Sequence, residues 1–206
     1  MGKQNQAKRH HHGNLREALI TAAIDILGAG GPDALTLRKC AARAGVSHAA
    51  PAHHFNGLVS LKIAVIARGH DMFADTMHRA RDRAEQNPHA RLNAICQGYL
   101  EFATTHTDLF KFMFQPHGAL PDSIDTTTGM EISRASMASY GVLRDACAPF
   151  EHDRGGNLGT ETMVWSLVHG YAMLFSTNTT SQAPFGPIPD FNDILPKLLL
   201  KSDPAQ

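Results

Sequence analysis

The stretch TLRKCAARAGVSHAAPAHHF, Thr36 to Phe55, decides how this chain folds. Thr36 is a natural helix N-cap, and Leu37, Cys40, Ala41 and Ala44 then recur at i, i+3, i+4 and i+7. That spacing is one apolar face of a short helix. Gly45 supplies a left-handed turn, Val46 plugs the core, and Ser47 caps a second short helix that runs to Phe55. Pro51 stands four residues past that cap. It forfeits one early backbone bond, but it stays within the first turn, so the helix is expected to survive it. Two short helices joined by a glycine-containing turn form a helix-turn-helix.

Upstream, Asn14 and Glu17 have capping-box spacing, and Leu15, Leu19, Ala22, Ala23 and Ile26 follow with helical period until GAGGPD (Gly28–Asp33) stops them. Downstream, one long helix runs from about Gly57 until Asn87-Pro88 ends it, and Pro88 can open the next. TDLFKFMF (Thr107–Phe114) is a short apolar helix closed by Pro116. Further helices are expected over 123–148, 158–178 and 190–201. Nothing reads as a strand, and no period of 20 to 50 residues repeats. The expected fold is all-α, with about nine helices. A three-helix helix-turn-helix domain spans residues 1–56, and a larger helical domain spans 57–206.

The totals narrow the function. Formal net charge over the 206 residues is zero, but residues 1–62 hold eight basic side chains against three acidic ones, a net +5. The rest of the chain is correspondingly acidic. A basic end on an acidic body is the electrostatic footprint of a nucleic-acid binder, although a chance division gives the same totals. Cys40, Cys96 and Cys147 are odd in number and form no CxxC pair, which fits a reduced cytosol. The start of the chain is polar, with no visible signal peptide. The longest apolar run, MVWSLVHGYAMLF (Met163–Phe175), is too short to span a bilayer. The expectation is a soluble, cytoplasmic protein without membrane association.

Metal and catalytic chemistry find little support. Adjacent helical residues point about 100° apart, so His53 and His54 do not easily share an ion. No histidine pair has i, i+4 spacing, and HExxH and CxxC are both absent. There is no GxSxG, no P-loop and no GxGxxG after a strand, so neither an enzyme nor a cofactor is expected. What remains is a helix whose His48, Ala49, Ala50, Ala52 and His53 can face outward. Alanines let a helix lie close in the major groove, and histidines can donate to phosphates or to base acceptors. The plainer alternative is a helical hairpin with solvated histidines.

LITAAIDILGAGGPDALTLRKCAARAGVSHAAPAHHF (Leu19–Phe55), followed by one long helix, resembles the DNA-binding domain of the TetR family of bacterial transcriptional regulators. The likeness covers about Leu15 to Ile66. HHHGNLREAL near the N-terminus and WSLVHG (Trp165–Gly170) resemble a subgroup with a C-terminal Trp-His-Gly motif. The resemblance implies a homodimer on a near-palindromic double-stranded operator, released by a small hydrophobic effector. It places Thr36, Arg38 and His54 on phosphates, Ser47, His48, Ala49, Ala50 and His53 in the groove, and Lys8 and Arg9 in the flanking minor groove. A basic tail is the plainer reading of that last pair. The family commonly has tyrosine at Ala52 and lysine at Leu58. Their absence here shifts weight to Lys62, to the N-terminal arm and to the histidines, whose charge changes near pH 6.5.

In the larger domain, Tyr99, Phe102, Phe112, Met113, Tyr140, Trp165, His169 and Met173 belong to a set rich in aromatic residues and methionine. Such a set either lines a ligand pocket or is packed core. Trp165, His169 and Met173 fall at i, i+4 and i+8. His169 is their polar member, bonded either to a ligand or to a neighbouring carbonyl. Two rivals stand beside the regulator: a helical enzyme or small-molecule binder that does not read DNA, and a structural helical dimer whose aromatic set is all core.

Overall fold

The computed structural model describes residues 15–115, 126–151, 156–176 and 188–201. Asn14, the Lys8–Arg9 pair, the His10–His12 run and Pro116 lie outside the described residues. Eight α-helices fill the described chain: α1 (Leu15–Gly30), α2 (Leu37–Arg43), α3 (Gly57–Arg83), α4 (Pro88–Thr105), α5 (Thr107–Phe114), α6 (Thr126–Cys147), α7 (Gly156–Tyr171) and α8 (Phe191–Ile194). Its strand content among the described residues is one isolated antiparallel bridge, Phe150 to Leu200.

The head is built by local chemistry. Leu19, Ala23 and Leu27 of α1 are completely buried, one face at i, i+4 and i+8. Thr36 caps α2 by accepting the Lys39 N–H at 3.2 Å. The end of α2 is closed by two bonds, Gly45 N–H to Ala42 O and Val46 N–H to Ala41 O. This pairing needs a left-handed residue just past the helix, and Gly45 provides it at φ 69°. Val46 then packs against the core, as expected.

The second short helix departs from expectation. Ser47 to Phe55 is not a capped α-helix. Ala50 N–H bonds Ser47 O at 3.0 Å, and a 3-10 helix covers Ala50–His53. Pro51 is the cause, because it has no N–H for the carbonyl of Ser47 and the turn tightens to i→i−3 bonds. Phe55 still anchors the segment, 3% exposed with the Arg16 guanidinium 5.4 Å above its ring.

α3 is about 40 Å long by its 27 residues and serves both halves of the molecule. Leu61 and Val65 belong to the same buried cluster as the head residues Leu19, Cys40 and Phe55, and that cluster continues without a break into the body. There α3 packs on α4, α5 and α6. Gly98 lets α4 cross tightly, since a Cβ there would stand 3.0 Å from the Met77 Cα. Asn87 caps α4, accepting the Ala90 N–H at 2.8 Å, with Pro88 in the first turn as the sequence suggested. Cys96 and Cys147, distant in sequence, sit close enough in this core to influence one another. Burial pushes both thiols up to about 12, so they stay protonated.

Two helices end differently from expectation. α7 gives way after Tyr171 to a π-helical turn, Ala172–Ser176. The helix foreseen over 190–201 is a single turn, Phe191–Ile194. Pro196 forces Leu195 into an extended conformation, ψ 117°. The tail then runs back along the end of α6, with Glu151 N–H bonded to Leu199 O and Lys201 N–H to Pro149 O.

Candidate functional site

Two places bring chemistry together, one at each end of α3's path. The first is the head surface. Thr36, Arg38, Ser47, His48, Ala49, Ala52, His53 and His54 are all exposed there, with Ala50 and Lys62 half-buried beside them. The side chains of Arg38, His48, His53, His54 and Lys62 form no hydrogen bond or ion pair with another described residue. Arg43, also exposed, is engaged with Asp25 at 3.0 Å. A row of unpaired donors on a short, alanine-rich segment suits an anionic partner, because none of them must first break an internal bond. Leu58 packs into the core, so that position offers a phosphate nothing. Ala52 is exposed and equally mute. Arg9 lies outside the described residues.

The head is clamped to the body by charge. Glu17 of α1 meets Arg68 of α3, and Arg16 of α1 meets Glu131 of α6. Below them, Ser60 and Thr128, both nearly fully buried, lie 3.5 Å apart between α3 and α6. These contacts tie α6 to α1 and α3.

The second place is a cavity of about 390 Å³ inside the body. α3 contributes His70, Phe73 and Met77, α4 Tyr99, α5 Phe114, α6 Ser136, Met137, Ser139, Tyr140 and Leu143, and α7 Trp165. Its size and mostly apolar, aromatic wall suit a small organic molecule. Of the residues singled out from the sequence, Tyr99, Tyr140 and Trp165 line it. Phe102, Phe112 and Met113 do not: they are buried in the core around it, with Met113 against Gly69. Met173 is 38% exposed on the surface.

His169 stands one layer back. Its Nδ1 is 2.8 Å from the Tyr99 hydroxyl, so its partner is a phenol rather than the carbonyl the sequence suggested. Burial lowers its pKa, and Phe110, Phe114 and Trp165 surround the ring. The sequence reading missed His70, Phe73, Met77, Ser136, Met137, Ser139 and Leu143. A signal existed: His70, Phe73 and Met77 stand at i, i+3 and i+7, as do Ser136, Ser139 and Leu143. The polar members hid the stripe.

The polar groups of the wall are ordered. Burial pushes the His70 imidazole down to about 4, with Asp71 beside it pulling the other way. Its Nδ1 lies 2.9 Å from the Ser139 Oγ. Tyr140 donates to Glu161 at 2.7 Å, a carboxylate only 8% exposed. Among the described residues no group of three or more His, Cys, Asp and Glu side chains could hold a metal ion, and no helix is long and apolar enough to cross a membrane.

Comparison with known proteins bears on both places. Residues 92–189 match the family model described as the tetracycline repressor-like C-terminal domain. A solved structure of a protein of unknown function from Rhodococcus sp. RHA1 is 28% identical, with TM-score 0.70 over 88% of this chain and 91% of that one. A tetR-family transcriptional regulator from Streptomyces coelicolor is 25% identical, with TM-score 0.61 over 84% of this chain and 73% of that one. The TetR family regulator PfmR from Thermus thermophilus, at 15% identity, shares the fold with TM-score 0.57 over 78% of this chain and 85% of that one. No curated protein matches the sequence.

Proposed function

We propose that the chain is a TetR-family DNA-binding transcriptional regulator, a reading that the match of residues 92–189 to the tetracycline repressor-like C-terminal domain supports, and that it works as a homodimeric repressor released from its operator by a small apolar effector. The observation that carries this reading is the sharing of α3. Its first turns are core of the head, and His70, Phe73 and Met77, starting about 20 Å further along, wall the cavity. A ligand that wedges α3 from α6 strains the Ser60–Thr128 contact and the Arg16–Glu131 pair, and so re-aims the head. To switch usefully it must favour the released form by roughly 1–3 kcal/mol.

On DNA, Thr36 and Arg38 would meet phosphates at the start of α2. The Thr36 oxygen accepts the capping bond, so its own hydrogen remains to be donated. Ser47, His48, Ala49, Ala50 and His53 would face the major groove, with His54 and Lys62 on the backbone and Arg9 reaching the minor groove. The head would be residues 1–56 and the sensing and dimerising body 57–206. The second copy would cover α6, α7 and the π-helical turn after it, which expose Met130, Met137, Leu158, Met163 and Leu174. Gly170 leaves open space where a Cβ would be, room for a close neighbour. The protein would act in the cytoplasm, beside its operator.

The test is binding to DNA upstream of the chain's own coding region, against a scrambled duplex, over a salt series. Preference for the native duplex, with affinity falling steeply as salt rises, is expected. Arg38→Ala should weaken both duplexes alike and reduce the salt slope by about one. A variant with undiminished slope would remove Arg38 from the phosphate contacts.

A further inference from the structure

A second cavity, of about 520 Å³, lies on the other side of α6. Ser136, Ser139, Tyr140 and Leu143 line the aromatic cavity, whereas Ala138, Gly141, Val142 and Asp145 line this one. Both sets run at i, i+3, i+4 and i+7. They are two positions out of step, which puts them on opposite faces of the helix. Met137 belongs to both walls.

The second wall differs in kind. Arg81 from the last turn of α3, Arg91 from the first turn of α4 and Arg144 from the last turn of α6 meet on it. Arg81 and Arg144 are held alike, each donating through Nε and Nη2 to one carboxylate oxygen of the aspartate that follows it. The distances are 2.9 and 2.7 Å to Asp82, and 3.0 and 2.8 Å to Asp145. Arg91 donates through Nη2 to Gln86 Oε1. A guanidinium carries five N–H groups, so each aspartate occupies two and leaves three, both of those on Nη1 among them. No described residue accepts from those that remain. The aspartates therefore hold the two forks in place without using them up, and a ligand has less side-chain freedom to remove. Even with Asp82 counted, three positive groups stand there against two negative ones, in a body that is acidic as a whole.

We infer that this cavity is a second binding site, for a small organic phosphate ester whose phosphate meets Arg81, Arg91 and Arg144 and whose apolar part lies against Ile95, Val142 and Pro149. One fork is enough for the two oxygens of a planar carboxylate. Three forks brought from three helices suit a tetrahedral group with three terminal oxygens and nearly two charges. The cavity volume leaves room for a ring beside the phosphate. The site does not depend on the aromatic cavity being the effector site, and either can fail alone.

The test is calorimetric titration of the full chain with phenyl phosphate, benzoate and inorganic phosphate. Phenyl phosphate should bind saturably, and more weakly as salt rises. Benzoate should bind at least about tenfold more weakly, and so should inorganic phosphate, which leaves the apolar wall uncovered. Arg81→Gln and Arg144→Gln should each weaken phenyl phosphate by about tenfold or more. Both side chains stand partly in solvent, so neither change opens the core. Arg144→Lys keeps the charge but loses the fork, and should still weaken binding by about threefold or more. Arg134→Gln, the same loss of charge at an exposed arginine of α6 away from the cavity, should leave binding unchanged. Equal weakening by Arg134→Gln would reduce the effect to overall charge and overturn the site. Weak binding of all three anions alike, untouched by the arginine changes, would mean an adventitious ion only and would overturn it as well.

Discussion

At the scale of single residues, the fold turns on a few caps, φ angles and buried polar contacts. Thr36 and Gly45 were readable from the sequence, because a cap and a left-handed turn depend on neighbours within four residues. His70 and Ser139 were not, because their pairing depends on which faces of α3 and α6 meet. That pairing has a consequence for stability. His70 is held near 4 when folded, against 6.5 for an unperturbed histidine. Above pH 6.5 it is neutral in both states and contributes no pH dependence. As pH falls from 6.5 towards 4, the unfolded chain takes up a proton that the folded chain refuses, and stability drops. The loss should reach roughly 1–2 kcal/mol between pH 7 and 5, allowing for partial exposure of the ring. His106 and His169, also lowered, add to it. Urea denaturation at the two pH values should show a clearly smaller drop for His70→Phe than for wild type. An equal drop would mean that His70 is not the buried neutral group described.

At the scale of elements, apolar periodicity located the helices well wherever no proline intervened. Thr107–Phe114 and the start of α4 at Pro88 fall where the sequence placed them. Two of the three misses share one cause. Pro51 tightens the second half of the helix-turn-helix into a 3-10 turn, and Pro196 cuts the last helix to four residues. A 3-10 segment is shorter and less regular than the α-helix expected, so fewer side chains can reach into a groove. The exposed His48, His53 and His54 then carry more of the contact. Replacing all three with alanine should weaken DNA binding severalfold at fixed salt, measured by fluorescence anisotropy. Undiminished affinity would take the three histidines off the DNA.

At the scale of the whole molecule, the sequence conveyed the division of labour through its charge: a basic first third and an acidic remainder. What it could not convey is that α3 belongs to both halves, since a shared helix leaves no break in composition or hydropathy at Gly57. The cavity was legible only in part. Tyr99, Tyr140 and Trp165 announce themselves as large amphipathic rings. Phe102, Phe112 and Met113 look equally suited to a pocket and yet lie one layer deeper in the core. Dimerisation through α6 and α7 would set the two heads a fixed distance apart, and that spacing is a geometric property of the DNA they can read. The most direct measurement is therefore selection of the full chain against a pool of random duplexes, followed by sequencing of the bound fraction. The account predicts enrichment of a near-palindromic site whose half-sites are separated by a whole number of helical turns, each about 34–36 Å. A bound fraction with no common sequence would contradict it, leaving a helical small-molecule binder with a basic surface but no code.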